Sequence, residues 1–295
     1  MLIALEDGTA LRGDFVIRAV QRYDMVPIPS TLELTLRSDE SLGGRVTEGS
    51  LIFCGSDGYR VVKMRRGVSA WVQSGGSGSE VLEITALLDG FESLAKRLQR
   101  AVIKESKSLG EIYRSCGARV RVTADVPVAR FAALAGQFPT PSIAQALQEE
   151  AVAPVWRDSA MSFVRLDDLF SQRPTAAMQA DTTQRVESEF LERHEIPWAL
   201  SAAPGGAIIF GRKTESRGAY FLPRSPERVL RNVSRCLAVR RSHIGGLSAS
   251  IRAGDVVAIA GVPNVVTTAA NTWDTGAGGG PSQQSTRMWL AEMSD

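Results

Sequence analysis

The chain has 295 residues, 44% of them hydrophobic and 22% charged. That composition folds, and the length allows two or three cores. Its 34 basic and 32 acidic residues leave a net charge of +2, too slight for a nucleic-acid coat or a membrane-surface protein.

The N-terminal MLIALEDGTALRGD reaches acidic residues at once and lacks the charged start of a signal peptide. Instead it reads as two short apolar stretches around Asp7-Gly8, a favoured hairpin dipeptide. FVIRAV and STLELTLR follow as strands; in the second, Leu32, Leu34 and Leu36 alternate with Glu33, Thr35 and Arg37, the period of a half-buried strand. LIFCGSDGYRVVKM is a hairpin pattern with its turn expected at Asp57-Gly58. After the Gly/Ser-rich WVQSGGSGSE comes the strand-like VLEITALL. Many short strands joined by turns predict a sandwich or barrel.

The pattern changes near residue 105. Ser108 and Glu111 have capping-box spacing before the short helix LGEIYRSC, which Gly117 can end. The extended ARVRVTAD follows. Ser142 and Gln145 repeat the spacing, PSIAQALQEE reads as helix and MSFVRLDDLF as strand. Two helix–strand units in succession predict a small α/β module. Residues 90–105 are ambiguous, because Phe91, Leu94, Leu98 and Val102 keep helical spacing directly after a strand.

From about residue 175 the chain returns to β. RPTAAMQADTTQRV is a polar link; AIIFGRKT, RGAYFLPRS, SRCLAVRRS and IRAGDVVAIAG are strand patterns; two final strands flank the glycine-rich stretch Trp273–Ser285. Residues 274–284 are expected to be mobile in the isolated protein and to order against another chain. Val46-Thr-Glu-Gly49 aligns with Ile251-Arg-Ala-Gly254, which sets Leu51-Ile52-Phe53 over Val256-Val257-Ala258. The alignment suggests two related β units, although glycine before an apolar strand is common enough for coincidence.

Candidate chemistry is sparse. There are two histidines, no HExxH, no GxSxG and no Walker lysine. His194, between Glu192 and Glu195, reads as the charged end of a helix, and Asp167-Asp168 as the solvated end of a strand. The GAGGGP stretch lacks a following helix to hold a phosphate. Lys63-Met64-Arg65-Arg66 and Arg240-Arg241 are isolated basic clusters, read as strand ends rather than nucleic-acid contacts. Cys54, Cys116 and Cys236 have neither metal spacing nor an even count, so a reducing compartment fits them better than a disulfide framework. No catalytic, cofactor-binding or metal-binding residue is predicted, and no cofactor. No apolar run approaches the length of a membrane span.

Three stretches carry a resemblance to the baseplate hub proteins of phage tails, the late-control-protein-D group related to the N-terminal region of type VI secretion spikes. LEITALLDGFESLAKRLQRAVIKESKSLGEIYRSCG resembles that family's strand and link into its first insert helix. PSIAQALQEEAVAPVWRDSAMSFVRLDDLF resembles its second helix and following strand, and IRAGDVVAIAG with STRMWLAEM its closing hairpin. The resemblance implies an α+β, mainly β fold: two tail-tube-like β-barrels, 1–105 and 173–295, flanking a small α/β insert, 106–172. It implies an extended link over 90–105. It also implies a homotrimeric structural hub at the tail tip of a virion, partnered by the tail tube or distal tail protein and the central spike, with the tape-measure protein as a further candidate. No membrane and no specific nucleic-acid binding are expected. The chain is short for that group, and no appended spike or peptidoglycan-cleaving domain is expected. A tail-associated cell-wall hydrolase and a nucleic-acid-binding barrel are the alternatives from other classes.

Overall fold

The computed structural model describes residues 2–37, 44–68, 80–186, 198–213, 218–276 and 281–293. The first β region holds β1 (Ile3–Leu5), β2 (Val16–Asp24), β3 (Ser30–Arg37), β4 (Leu51–Cys54), β5 (Asp57–Val68) and β6 (Glu80–Leu88). In β3 the three leucines are buried and Glu33 and Arg37 exposed, as the alternation requires. The Asp7-Gly8 turn forms: the Gly8 N–H donates to the Leu5 carbonyl at 2.9 Å with Gly8 at φ 81°. The Asp57-Gly58 turn does not. Cys54 faces Asp57 across the ladder, so the hairpin turns at Gly55-Ser56, with Gly55 at φ 61°, and Asp57 is free to point inward. The glycine-rich stretch before β6 lies outside the described residues.

The link over 90–105 contains one 3-10 turn, Glu92–Ala95, and no α-helix, before β7 (Val102–Ser108). The insert continues with α1 (Leu109–Ser115), β8 (Val122–Ala124), β9 (Pro127–Ala133), α2 (Pro139–Glu149), β10 (Val152–Arg157), β11 (Ala160–Arg165) and α3 (Leu166–Phe170). Ser108 caps α1 as its spacing predicts, its hydroxyl accepting from the Glu111 N–H, and Gly117 ends the segment at φ 96°. Ser142 is not a cap. The α2 helix already starts at Pro139, whose fixed φ suits the first turn and whose missing N–H leaves no orphan donor. LDDLF closes the expected strand as a helical turn instead, burying Leu166 and Leu169.

The second β region holds β12 (Ala176–Met178), β13 (Gln184–Arg185), β14 (Trp198–Ala202), β15 (Ile208–Phe210), β16 (Ala219–Phe221), β17 (Leu237–Gly246), β18 (Val256–Ile259), β19 (Val262–Asp274) and β20 (Gln283–Met293). Between β16 and β17 lies α4 (Glu227–Val233), absent from the sequence reading. The polar link 173–186 is threaded into the sheet through β12 and β13. β19 and β20 form the expected final hairpin; residues 277–280 of its loop lie outside the described residues.

One sheet carries both β regions, in the order β1-β4-β5-β6-β3-β2-β19-β20-β17-β13. Its centre is the antiparallel pairing of β2 with β19, from Asp24 opposite Thr268 to Arg18 opposite Asp274. The fold is mainly β with few helices. The largest core, with Tyr59, Leu82 and Leu88 from the first region and Ile112, Tyr113 and Ile143 from the insert, runs continuously across both.

The suspected internal repeat is present in the hydrogen bonds. Gly49 and Gly254 have φ 91° and 94°, and their N–H groups donate to Val61 and Val266 at 2.8 Å. Val61 and Val266 in turn donate to Ser50 at 2.9 Å and to Asp255 at 2.8 Å. Both hairpins turn through two residues, Gly55-Ser56 and Ala260-Gly261, and both long strands bulge at the same place, Val61/Lys63 and Val266/Thr268. A shared positive φ, a shared closure and a shared bulge do not come from a glycine-strand coincidence.

The two glycines differ in surroundings. A Cβ on Gly49 meets nothing within 4 Å, whereas one on Gly254 comes within 2.7 Å of a Val155 methyl. Gly49→Ala should therefore cost about 1 kcal/mol, from the backbone alone. Gly254→Ala should cost a further 1–3 kcal/mol or so from overpacking, and Val155→Ala in the same chain should recover part of it. Urea unfolding of the three variants checks this; equal losses at both glycines would contradict it.

Candidate functional site

Polar side chains from three separate parts of the chain converge at Asp57. Asp57 is 3% exposed. The Tyr23 hydroxyl of β2 donates to Oδ2 at 2.6 Å, and the Trp156 indole of β10 donates to Oδ1 at 3.0 Å. Arg252, from the second copy of the repeated turn, brings Nη1 to 3.5 Å from Oδ2 and stacks its guanidinium 4.6 Å from the Tyr23 ring centre. Beside them the Tyr59 hydroxyl accepts from Gln21 Nε2 at 2.9 Å and shares a 2.8 Å hydrogen bond with Ser30. Arg157, next to Trp156, pairs with Asp255 of the same repeated turn.

Burial, reinforced by Tyr59 and by the Asp57 charge, holds the Tyr23 hydroxyl far above the usual phenol range. Burial and then the Asp57 charge push the Cys54 thiol up to about 12, and burial pushes Cys116 up to about 11. Both oxygens of Asp57 are occupied by donors that fix its position, and no strong base sits beside a reactive hydroxyl or thiol here. The cluster is a lock between three regions of the chain.

The other candidates are dispersed. His243 lies on β17 with Nδ1 2.8 Å from the Thr182 carbonyl oxygen, and His194 lies outside the described residues. Asp167 and Asp168 open α3 rather than ending a strand, where their charge meets the helix N-terminus, and Asp167 pairs with Arg235. Lys63, Met64, Arg65 and Arg66 lie along β5; Arg240 and Arg241 lie on β17, where Arg241 donates to the Thr183 hydroxyl at 3.0 Å. Among the described residues no group of three or more His, Cys, Asp or Glu side chains could hold a metal. No helix among them is long and apolar enough to cross a membrane.

Two surfaces stand out instead. The face of the main sheet turned away from the core is polar across both β regions: one cross-strand row reads Arg65, Glu83, Thr35, Arg18, Asp274, Gln283. The small sheet β15-β14-β16 is the opposite. On one face Ala199 and Ser201 are buried where β14 meets α4, although Tyr220 opposite Ala199 is 55% exposed; on the other Ile208, Phe210 and Phe221 are 59%, 44% and 54% exposed. Leu200 is paired with both Phe210 and Phe221, and the Trp198 ring lies 5.8 Å from that of Phe210. These exposed apolar side chains lie side by side on one face of the sheet. Sequence reading found β15 and β16 but neither β14 between them nor the exposed apolar side chains of this sheet.

No family model matches the chain, and no curated protein matches it by sequence. Solved structures do match in fold. A tail protein from Neisseria meningitidis MC58 superposes with a TM-score of 0.66 at 10% identity, over 99% of this chain and 96% of that one. The 43 kDa tail protein of prophage MuSo2 from Shewanella oneidensis gives a TM-score of 0.62 at 10% identity, over 98% and 96%. An E. coli component of the type VI secretion system, itself similar to T4 bacteriophage tail proteins, gives 0.59 at 8% identity, over 99% and 77%. The fold is thus that of phage tail proteins and of type VI secretion proteins related to them, over nearly the whole chain.

The lock makes two measurable demands. Asp57→Ala strands a tyrosine hydroxyl, an indole N–H and a guanidinium, and should cost about 3–5 kcal/mol in chemical denaturation; Asp14→Ala, which removes an exposed pair with Arg12, should cost about 0.5 kcal/mol or less. Because their pKa values are raised, Cys54 and Cys116 remain protonated thiols at pH 8 and should resist alkylation until the chain unfolds. Rapid labelling of Cys54 in the folded protein would contradict the buried arrangement.

Proposed function

We propose that the chain is a structural hub of a phage or phage-derived tail, three copies forming a ring that adapts a six-fold tail tube to a central spike. The observation that carries this reading is the duplication: two β units with matching turns and bulges, already joined edge to edge through β2 and β19. Three such chains present six near-equivalent β units to a six-fold partner while keeping three-fold symmetry for the spike. The fold of the tail proteins supports the same assignment. In this reading 1–105 and 173–295 are the ring-forming units, and 106–172 is a bracket held between them through Trp156 and Arg157.

The partners follow from the same division. The first unit connects β2 to β3 through Met25–Pro29 alone, whereas the second carries β14, β15, β16 and α4 between β13 and β17. That addition occurs three times in a ring, not six, so its apolar face is assigned to the spike and the duplicated strands to the tube or distal tail protein. The tape-measure protein is a further partner along the ring axis. The hub sits at the tip or baseplate of the virion tail and acts without catalysis and without a cofactor; the adjacent Asp167 and Asp168 open a short helix, and Asp167 is engaged by Arg235.

Averaged images of tails containing this protein, or native mass measurement of the hub released from them, should give three copies per ring. Two or six copies would overturn the reading. A zymogram on purified cell walls should stay blank, and clear lysis would move the assignment to the hydrolase.

A further inference from the structure

The repeated turn is covered in one unit and open in the other. In the second unit the insert buries the outward face of the hairpin: Val256 and Val265 cluster with Ala153 and Leu166, and Val155 lies against Gly254. Aligning the two copies sets Leu51 over Val256 and Arg60 over Val265, each an opposed pair across its own hairpin. In the first unit that face is only half-buried at Leu51 and Arg60, and a Cβ on Gly49 meets nothing within 4 Å. A cleft of about 580 Å³ lies there, walled by Glu48, Gly49 and Arg60 of the turn and hairpin, Glu92 and Lys96 of the link, and Arg119 of the insert.

The acids of the cleft are spent on groups of its own walls, and its cations face out. Glu48 accepts from the Met64 N–H at 3.3 Å, and Glu92 accepts from the Gly90 N–H and from Arg119, both at 2.8 Å. The Glu92 side chain is 14% exposed against 67% for Arg119. Arg60 is held in the wall by Asp89 and the Gly49 carbonyl. The Lys96 ammonium is exposed and meets no acid among the described residues. The sign is the reverse of the covered copy, where Asp255 supplies a carboxylate and the insert brings Arg157 to it. The insert of another copy is therefore a poor occupant: its arginine would meet cations, and it is already seated on its own second unit.

We infer that the first copy of the turn is a docking site for an acidic segment of a different tail protein, lying on the face that the insert covers in the second copy. The covered copy supplies the template. An apolar residue of the partner takes the place of Val155, against Gly49 and Leu51, and a carboxylate sits between Lys96 and Arg119, where a charge-assisted contact to two cations is available. This rests on the tail assignment above but not on the number of copies in the ring. Each chain offers one such site although it carries the turn twice, because its own insert fills the other.

A water-soluble carbodiimide tests the pair directly, since it joins a carboxylate to an amine only where the two touch and leaves as a urea. Purified tails containing the full chain are treated, digested and read by mass spectrometry. The expected product is an amide between Lys96 Nζ and an Asp or Glu of another tail protein, within a peptide of net negative charge. Lys96→Arg keeps the cation but removes the amine, and should lose that product while links at other lysines persist. Arg119→Gln keeps the amine but removes the second cation, and should lower the yield about threefold or more. A link from Lys96 to a carboxylate of this same chain, in its own or another copy, overturns the assignment to a partner. So does an unlinked Lys96 in tails whose other lysines react, and an unchanged yield in Arg119→Gln refutes the placing of the carboxylate. Tails that lack the chain altogether overturn the tail assignment and this inference with it.

Discussion

A carboxylate buried in the core is tolerable only if every oxygen is satisfied, and at Asp57 the satisfying groups come from three separate parts of the chain. Tyr23 comes from the strand that forms the central seam of the sheet, Trp156 from the insert, and Arg252 from the second copy of the repeated turn. None of them can leave without stranding a charge or a donor in the core, so the insert and the two β units are bound to one geometry. The neighbouring aromatic contacts, Phe91 against Tyr113 and Trp156 and Tyr113 against Phe163, continue the same constraint through the shared core.

The repeated turn shows how one backbone was put to two uses. In the first copy the Thr47 N–H donates to the Ser50 hydroxyl at 3.0 Å, a neutral closure near the surface. In the second the Arg252 N–H donates to the Asp255 carboxylate at 2.8 Å, the same closure made with a charge. The change lets Asp255 also take Arg157 of the insert and lets Arg252 reach Asp57 of the first unit. Gly49 has open space where Gly254 lies against Val155. Conserved turn geometry with exchanged side chains thus turned one of two like units into the seat for the insert.

Local pattern was legible in the sequence wherever it was strong. Period-two burial placed β3 and β6, Ser108 placed the start of α1, and the paired glycines pointed to the repeat. Where reading failed, a weak local rule met a tertiary demand. Asp57-Gly58 has the dipeptide of a turn, but the aspartate is needed inside, and Gly55-Ser56 turns the chain instead. Ser142 has the spacing of a cap, but Pro139 had already opened the helix. LDDLF and the helix after Pro226 are too short for periodicity to reveal. The Asp57 site itself was not legible, since its donors are joined only by pairings between residues far apart in the chain. Nor does any local signal mark β2 against β19, the seam on which the architecture turns.

Duplication creates a difficulty for recognition that the fold resolves by addition. Two like units carried in a ring of three chains offer six similar surfaces, and a partner that must choose three of them finds no basis in the strands they share. The polar row from Arg65 to Gln283 runs through both units with both signs of charge interspersed and gives no unit a distinct sign. Distinction has to come from what only one unit carries. That is the segment between β13 and β17, where a sheet with Ile208, Phe210 and Phe221 on its open face is braced from behind by α4, and α4 is tied to the insert by Arg228 on Glu150 and by the Asn232 amide on the Glu149 carbonyl at 2.9 Å. The brace matters physically: an apolar face on a loose hairpin would collapse onto the nearest core, whereas one held by a half-buried ion pair and a helix stays presented. In the proposed ring the shared strands would set the symmetry, and the unshared segment would break it where a three-fold partner could bind.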